Sequence, residues 1–244
     1  MSYRTFLAEL ESGAARVATK VGNDWQVNAE VKQRILEVFR NTPVVDMPGG
    51  FRDKQPLAPR TFTEVDAVRM VPGGSAVRSG AHIGKNVVIM PPSYVNIGAF
   101  VDEGSMIDSH VLIGSCAQIG KRIHLAAGVQ IGGVLEPVGN RPVIVEDDCF
   151  VGAGAILMEG ILVRQGAVIA PGVTLSAAVP IYDVINETII KGEIPEYAVV
   201  VPGTRKITSS IWAETEGLSL NCAIIVKYRD AKTNAALVLE DVLR

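Results

Sequence analysis

The amino-acid sequence predicts a mainly β protein: a parallel β-helix of hexapeptide repeats, preceded by a small α-helical N-terminal domain and followed by a short C-terminal cap. Three observations carry the prediction. An aliphatic recurs at every sixth residue through Val77, Ile83, Ile89, Val95, Val101, Ile107, Ile113, Ile119, Leu125 and Ile131. After a two-residue slip the count resumes at Val145 and continues through Val151, Leu157, Val163, Ile169 and Leu175. Glycine follows the aliphatic at Gly84, Gly114, Gly120, Gly132 and Gly152. A period of six fits neither a helix, near 3.6, nor an ordinary strand at two. It fits a three-sided coil in which each side is one short strand and one aliphatic per side points into the shaft. The glycines are then expected to supply the backbone freedom of the corners.

Residues 1–65 read as an N-terminal helical domain and linker. Phe6, Leu7 and Leu10 recur at helical spacing, and Asn28 is placed to cap a second helix whose face is Val31, Ile35, Leu36 and Phe39. Between them, Val17 to Val27 alternates loosely, as a hairpin around Gly22-Asn23-Asp24 would. Asn41 to Arg60 holds four prolines and two glycines and reads as a linker or extended arm. Residues 66–180 form the β-helix, with a loop thrown out at 137–142, where insertions in repeat proteins often mark the binding face. Residues 181–244 form a β/α cap: Pro180, Pro195 and Pro202 punctuate turns, Leu220 to Tyr228 reads as a strand, and Ala235 to Leu243 as a closing helix. Such a cap covers strand edges at the open end of the coil.

The bulk properties exclude several classes. The chain has 244 residues, is 48% hydrophobic and carries a net charge of −3 with no basic stripe, which argues against nucleic acid or an anionic membrane as partner. No apolar run approaches the ~20 residues of a membrane span and no signal peptide opens the chain, so a cytoplasmic protein is expected. Cys116, Cys149 and Cys222 lack ligand or redox spacing and read as small buried hydrophobes. Hexapeptide coils expose lateral faces and commonly associate in threes, so a homotrimer is expected.

Chemistry is sought first in Ser93 to Asp108, where Asp102 and Asp108 each follow an inward aliphatic and sit at equivalent corners of successive sides. Acids there face a neighbouring subunit, and they equally fit a structural role in solvating corners or pairing across an interface. Gly132-Gly133 beside the inserted loop admits close approach of a ligand to the backbone, or simply turns a corner. His110, two residues past Asp108, has the chemistry of a proton carrier, but lone histidines such as His82, His110 and His124 are more often structural. No acidic or His/Cys spacing suggests a metal, and no phosphate-binding glycine motif follows a strand.

The run Ser93 to Pro137, with Val143 to Ala153, Cys222 to Thr233, Ser12 to Ala18 and Val68 to Pro72, closely resembles the tetrahydrodipicolinate N-succinyltransferase family of lysine and diaminopimelate synthesis. The resemblance implies a left-handed β-helix, trimeric, with active sites between subunits and succinyl-CoA lying along a groove as co-substrate. It implies that Arg69 and Asp108 bind the dicarboxylate substrate, L-2-amino-6-oxopimelate, whose amine attacks the thioester directly. An arginine fork suits a carboxylate, and Asp108 suits holding an ammonium and helping to remove its proton. Backbone N–H groups at Gly132, Gly152 or Ala153 are the expected contacts to the acyl donor and its developing oxyanion. Many members have a longer helical N-terminus. They also have Asp-Thr-Trp where this chain has Asp108-Ser109-His110, and a glutamate where it has Ile156. The stretch Gly154 to Gly160 resembles instead the N-acetyltransferase of the same pathway, so acetyl-CoA is the alternative donor. A relative making a specialised metabolite from this precursor, and a non-catalytic hexapeptide scaffold, are the other readings.

Overall fold

The computed structural model describes residues 2–230. Its body is a left-handed β-helix whose two-residue strands stack into three parallel sheets, one per side of a triangular shaft. Face one runs from Ala76–Val77 through Tyr94–Val95, Leu112–Ile113, Gln130–Ile131 and Ile156–Leu157 to Thr174–Leu175. Face two starts at His82–Ile83 and ends at Glu193–Ile194. Face three starts at Arg69–Met70 and ends in a long strand, Ala198–Lys206. In regular coils, paired residues are eighteen positions apart, so Val95, Ile113 and Ile131 lie one above another. From Val77 onward the second residue of each pair is inward and buried, which joins the aliphatics named above into one continuous core. Each coil also donates amides to the next, as from Leu112 N–H to Val129 O at 3.0 Å and from Gly114 N–H to Ile131 O at 2.8 Å.

Three expectations are corrected. The glycines after the inward aliphatics do not adopt left-handed backbone. They are required because the next coil presses on them: a Cβ on Gly84 would lie 2.6 Å from Glu103 N. The left-handed residue falls two positions later, at Gly98, Gly104, Gly128, Gly154, Gly166 and Gly172, and also at Asn86, His110, Cys116, Arg122, Asp148 and Tyr197. Second, the inserted loop is larger than a two-residue slip. Ile131 and Val145 occupy successive sides although fourteen residues apart, where the regular step is six; eight extra residues leave and rejoin the coil in phase. Third, the coil, which begins at Arg69–Met70 within the expected range, runs past residue 180: after an antiparallel hairpin of Ile181–Asp183 with Thr188–Ile190 come the rungs Glu193–Ile194 and Val199–Val200. Ile194 and Val200 keep the six-residue step, hidden by the intervening hairpin.

At the N-terminus, helix α1 (Tyr3–Ser12) buries Phe6, Leu7 and Leu10, and helix α2 (Ala29–Asn41) is capped by Asn28, whose side chain accepts from Val31 N–H at 3.3 Å. The hairpin between them pairs β1 (Ala18–Val21) with β2 (Asp24–Val27). The stretch read as an extended arm contains a second hairpin, β3 (Val44–Met47) with β4 (Phe51–Lys54), turned by Gly49 and Gly50 in left-handed conformation. The N-terminal segments cover face two. Trp25 Nε1 donates to Glu146 Oε1 at 2.8 Å, Arg164 donates to Asn23 O, Ala18 packs on Ile144 and Leu162, and Arg16 lies 3.6 Å above the Phe100 ring. Past the coil, Ala198–Lys206 pairs antiparallel with Ser219–Tyr228, joined through helix α3 (Ile211–Thr215). The helix expected over Ala235 to Leu243 lies outside the described residues. Among the described residues no helix is long and apolar enough to cross a membrane.

Two alanine substitutions separate crowding from backbone strain. Gly84→Ala, facing backbone at 2.6 Å, is expected to destabilise by about 1–3 kcal/mol. Gly154→Ala, with open space but φ of +68°, is expected to cost about 1 kcal/mol. Chemical denaturation midpoints check the order; equal losses would remove the crowding explanation.

Candidate active site

The chemistry of this coil is decided at its corners. The residue after the inward aliphatic spends its own N–H on a carbonyl of the next coil, whereas the N–H one position further takes no backbone carbonyl there; Lys121 N–H goes to Asp147 Oδ1 and Gln165 N–H to Glu146 Oε2. At three corners the first residue's own side chain turns back to satisfy that amide. Asn96 accepts from Ile97 N–H, Asp102 from Glu103 N–H and Asp108 from Ser109 N–H, at 2.7 to 2.8 Å.

Asp108 sits at the corner between faces three and one. Its N–H donates to Leu125 O at 2.9 Å, its carbonyl accepts from Ser93 Oγ at 2.8 Å, and Oδ1 accepts from Ser109 N–H. The backbone is thereby fixed on both sides, and one carboxylate oxygen remains for a ligand. Above it on the same edge stand Ala126 and then Gly152, coil upon coil, about 10 Å away at the usual strand spacing. Ala127 and Ala153 follow residues with no side-chain acceptor, so their N–H groups meet no acceptor among the described residues; both residues are exposed. Arg69 lies on face three, two coils below Met106 and thus about 10 Å down the shaft from Asp108. It is exposed and, with Thr63, Glu64, Asn86 and Val88, lines a cavity of about 270 Å³.

The expected donor contacts divide. Gly132 N–H already donates to Leu157 O at 2.8 Å, and Gly152 N–H to Ile169 O at 2.7 Å, so neither is an oxyanion donor. Ala153 keeps that capability. Gly132 is also not beside Asp108. It stands at the corner between faces one and two, in the wall of a cavity of about 800 Å³ shared with Gly133, Glu136, Arg141, Met158 and Glu159. One chain therefore offers two separate edges: Asp108 and Ala153 on one, with Arg69 on the adjoining face three, and Gly132 with the inserted loop on the other.

The remaining candidates resolve into simpler roles. Asp102 faces the covered side, near the Arg16 guanidinium. His110 occupies a left-handed turn position at φ 63°, exposed, its N–H donating to Pro92 O at 2.7 Å. His82 stacks on Phe100 and bonds Glu11 O through Nδ1, and burial lowers its pKa. Ile156 is a rung of face one between Gln130 and Thr174, an apolar side chain without donor or acceptor. All three cysteines are buried free thiols; burial pushes Cys116 up to about 12 and also raises Cys149 and Cys222. None is a ready nucleophile. Among the described residues no group of three or more His, Cys, Asp or Glu could hold a metal ion. Two residues escaped sequence reading: Lys32, fully buried on α2, and Arg141, whose Nε and Nη2 donate to Gly160 O and Gly192 O at 2.8 Å. A charged residue on a helix or loop carries no sequence signal of burial.

Two family models match the chain. One, the N-terminal domain of tetrahydrodipicolinate N-succinyltransferase, covers residues 3–40; the other, the hexapeptide repeat of succinyl-transferase, covers residues 142–177. Among similar proteins, a 2,3,4,5-tetrahydropyridine-2,6-dicarboxylate N-succinyltransferase of Caulobacter vibrioides is 43% identical, across 96% of this chain and 87% of its own. Those of Idiomarina loihiensis and Nitrobacter winogradskyi are 44% and 45% identical, across 99% and 98% of this chain and 88% and 87% of theirs. A Campylobacter jejuni structure provisionally described as a 2,3,4,5-tetrahydropyridine-2-carboxylate N-succinyltransferase superposes with a TM-score of 0.50. It is 17% identical, over 92% of this chain and 63% of its own, and supports the fold.

The thiol burial is directly testable. A disulfide reagent at pH 8 is expected to leave Cys116 and Cys149 unmodified in the native protein and to titrate both after unfolding. Rapid native labelling of either would return a cysteine nucleophile to consideration.

Proposed function

The chain belongs to the tetrahydrodipicolinate N-succinyltransferase family, and from that premise we propose how its residues transfer a succinyl group to the amine of L-2-amino-6-oxopimelate in diaminopimelate and lysine biosynthesis. The observation that supports the assignment of roles is that Asp108 and Ala153 share one edge and Arg69 lies on the face-three strand position beside it. Succinyl-CoA is the donor. The Arg69 fork takes a substrate carboxylate through both oxygens. Asp108 holds the substrate ammonium by its free oxygen and accepts a proton from it, leaving a nucleophilic amine. The nitrogen attacks the thioester carbonyl, the C–N bond forms, and Ala153 N–H donates to the developing oxyanion. Collapse breaks the C–S bond; the sulfur leaves with the bonding electrons, and the second proton lost by the nitrogen as the amide forms balances the one the thiolate takes up to become free coenzyme A. Holding both reactants on one edge removes an entropic barrier on the order of 7–11 kcal/mol in well-oriented cases.

The separation of the two edges supports a shared site. Faces one and three carry outward apolar residues, including Tyr94, Leu112, Met106 and Phe150, while the N-terminal segments cover face two. In a homotrimer the Asp108 edge of one protomer faces the Gly132 cavity of the next, and the donor lies in the groove between them. Ile156 favours a second donor: lacking any polar atom, it suits an acetyl group better than a charged succinyl chain. On this reading the reaction is cytoplasmic.

Three measurements test this reading. Following free thiol with succinyl-CoA and then acetyl-CoA, in the presence of tetrahydrodipicolinate, is expected to show turnover with succinyl-CoA preferred. No thiol with either donor would remove the enzymatic role. Asp108→Asn is expected to keep the native oligomer in light scattering while kcat falls by on the order of 10²-fold or more; activity within a few-fold would make Asp108 structural. Arg69→Met is expected mainly to raise the acceptor KM, by at least about ten-fold for a lost charged contact.

A further inference from the structure

Lys32 is buried to 0% exposure on α2, a helix that otherwise presents Val31, Ile35, Leu36 and Val38 to the interior. Its Nζ donates to Asn140 O at 2.6 Å. Burying an ammonium is costly unless it is paired, and here the compensating contact reaches 108 residues along the chain to the inserted loop. The next residue, Arg141, donates from its own guanidinium to Gly160 O and Gly192 O of the coil. Eight extra residues would otherwise be free to swing from the coil. Two adjacent cationic anchors, one reaching in and one reaching out, set their path, and that path with Gly132, Met158 and Glu159 encloses the 800 Å³ cavity. The anchor comes from the N-terminal domain, so the cavity wall is set by a segment outside the coil that forms the rest of it.

We propose that Lys32 is a positioning residue that fixes the inserted loop over the cavity that receives the acyl donor. The proposal rests on the reading above, that this cavity forms the donor side of the groove. Lys32 touches no reactant; it acts through Asn140. Release of Asn140 O would leave the buried ammonium without this acceptor, which is what ties the loop to α2. Burial lowers the Lys32 pKa, as expected for a desolvated ammonium.

The test uses the full-length protein and Lys32→Met, which keeps the length and apolar character of the buried stem. Three quantities are compared with the parent: amide hydrogen exchange in residues 137–142, coenzyme A affinity by calorimetry, and KM values for succinyl-CoA and for the acceptor. Loss of a charged hydrogen bond is expected to accelerate loop exchange by about ten-fold or more and to weaken donor binding by a similar factor. Acceptor KM and kcat are expected to stay within about two-fold. Unchanged loop exchange overturns the proposal. So does faster exchange with unchanged donor affinity, and so does a fall in melting temperature with neither effect, which would make Lys32 a helix-docking residue only. A parent protein that neither binds coenzyme A nor turns over sinks the functional reading; a parent that does both, with Lys32→Met indistinguishable from it, sinks this proposal alone.

Discussion

The molecule depends on one spacing: each eighteen-residue coil must return to within a strand-to-strand distance of the last, with aliphatic over aliphatic and amide under carbonyl. That constraint buries the inward side chains completely, and it uses the N–H of the first residue of every corner. The amides of the second corner residues are what remains for chemistry. Where Asp108 satisfies one and Gly152 leaves the next but one to Ala153, a carboxylate and an unclaimed donor come to lie on one edge. The candidate site is therefore a by-product of coil geometry, modified at a few positions.

The six-residue ladder was legible because an inward side chain at fixed period is a property of the chain itself. The same ladder concealed its ends. Met70 is not a branched aliphatic, and the rungs at Ile194 and Val200 lie beyond a hairpin that interrupts the count. Glycine was read as conformational freedom, whereas Gly84 and Gly152 are needed because neighbouring backbone leaves no room for Cβ. That distinction requires knowing which coil lies above. Left-handed corner positions held by Cys116 and Arg122 could not have been found from composition, since neither residue type is enriched in that conformation.

Site legibility divides in the same way. Arg69 and Asp108 carry charges whose chemistry points to a dicarboxylate amine, and the winding sets them on one side of the shaft. Gly132 and Gly152 look equivalent in sequence, yet they stand on different corners because one follows face one and the other face three. Lys32 was invisible for the opposite reason. On a helix of alternating charge and apolar side chains it reads as solvated, and only the inserted loop passing over it makes it buried.

The packing of the N-terminal segments bears on how the chain matures during synthesis. Trp25 finds Glu146 and Asn23 finds Arg164, partners that leave the ribosome more than a hundred residues later. The hairpin that holds Asn23 and Trp25 thus gains these neighbours late, while coils stack progressively from local contacts. Phe6, Leu7 and Leu10 meet Val17, Val31, Ile35 and Val38 early but complete their cluster only with Ile97 and Cys116, and until then a chaperone, or a self-association error, would act on this protein.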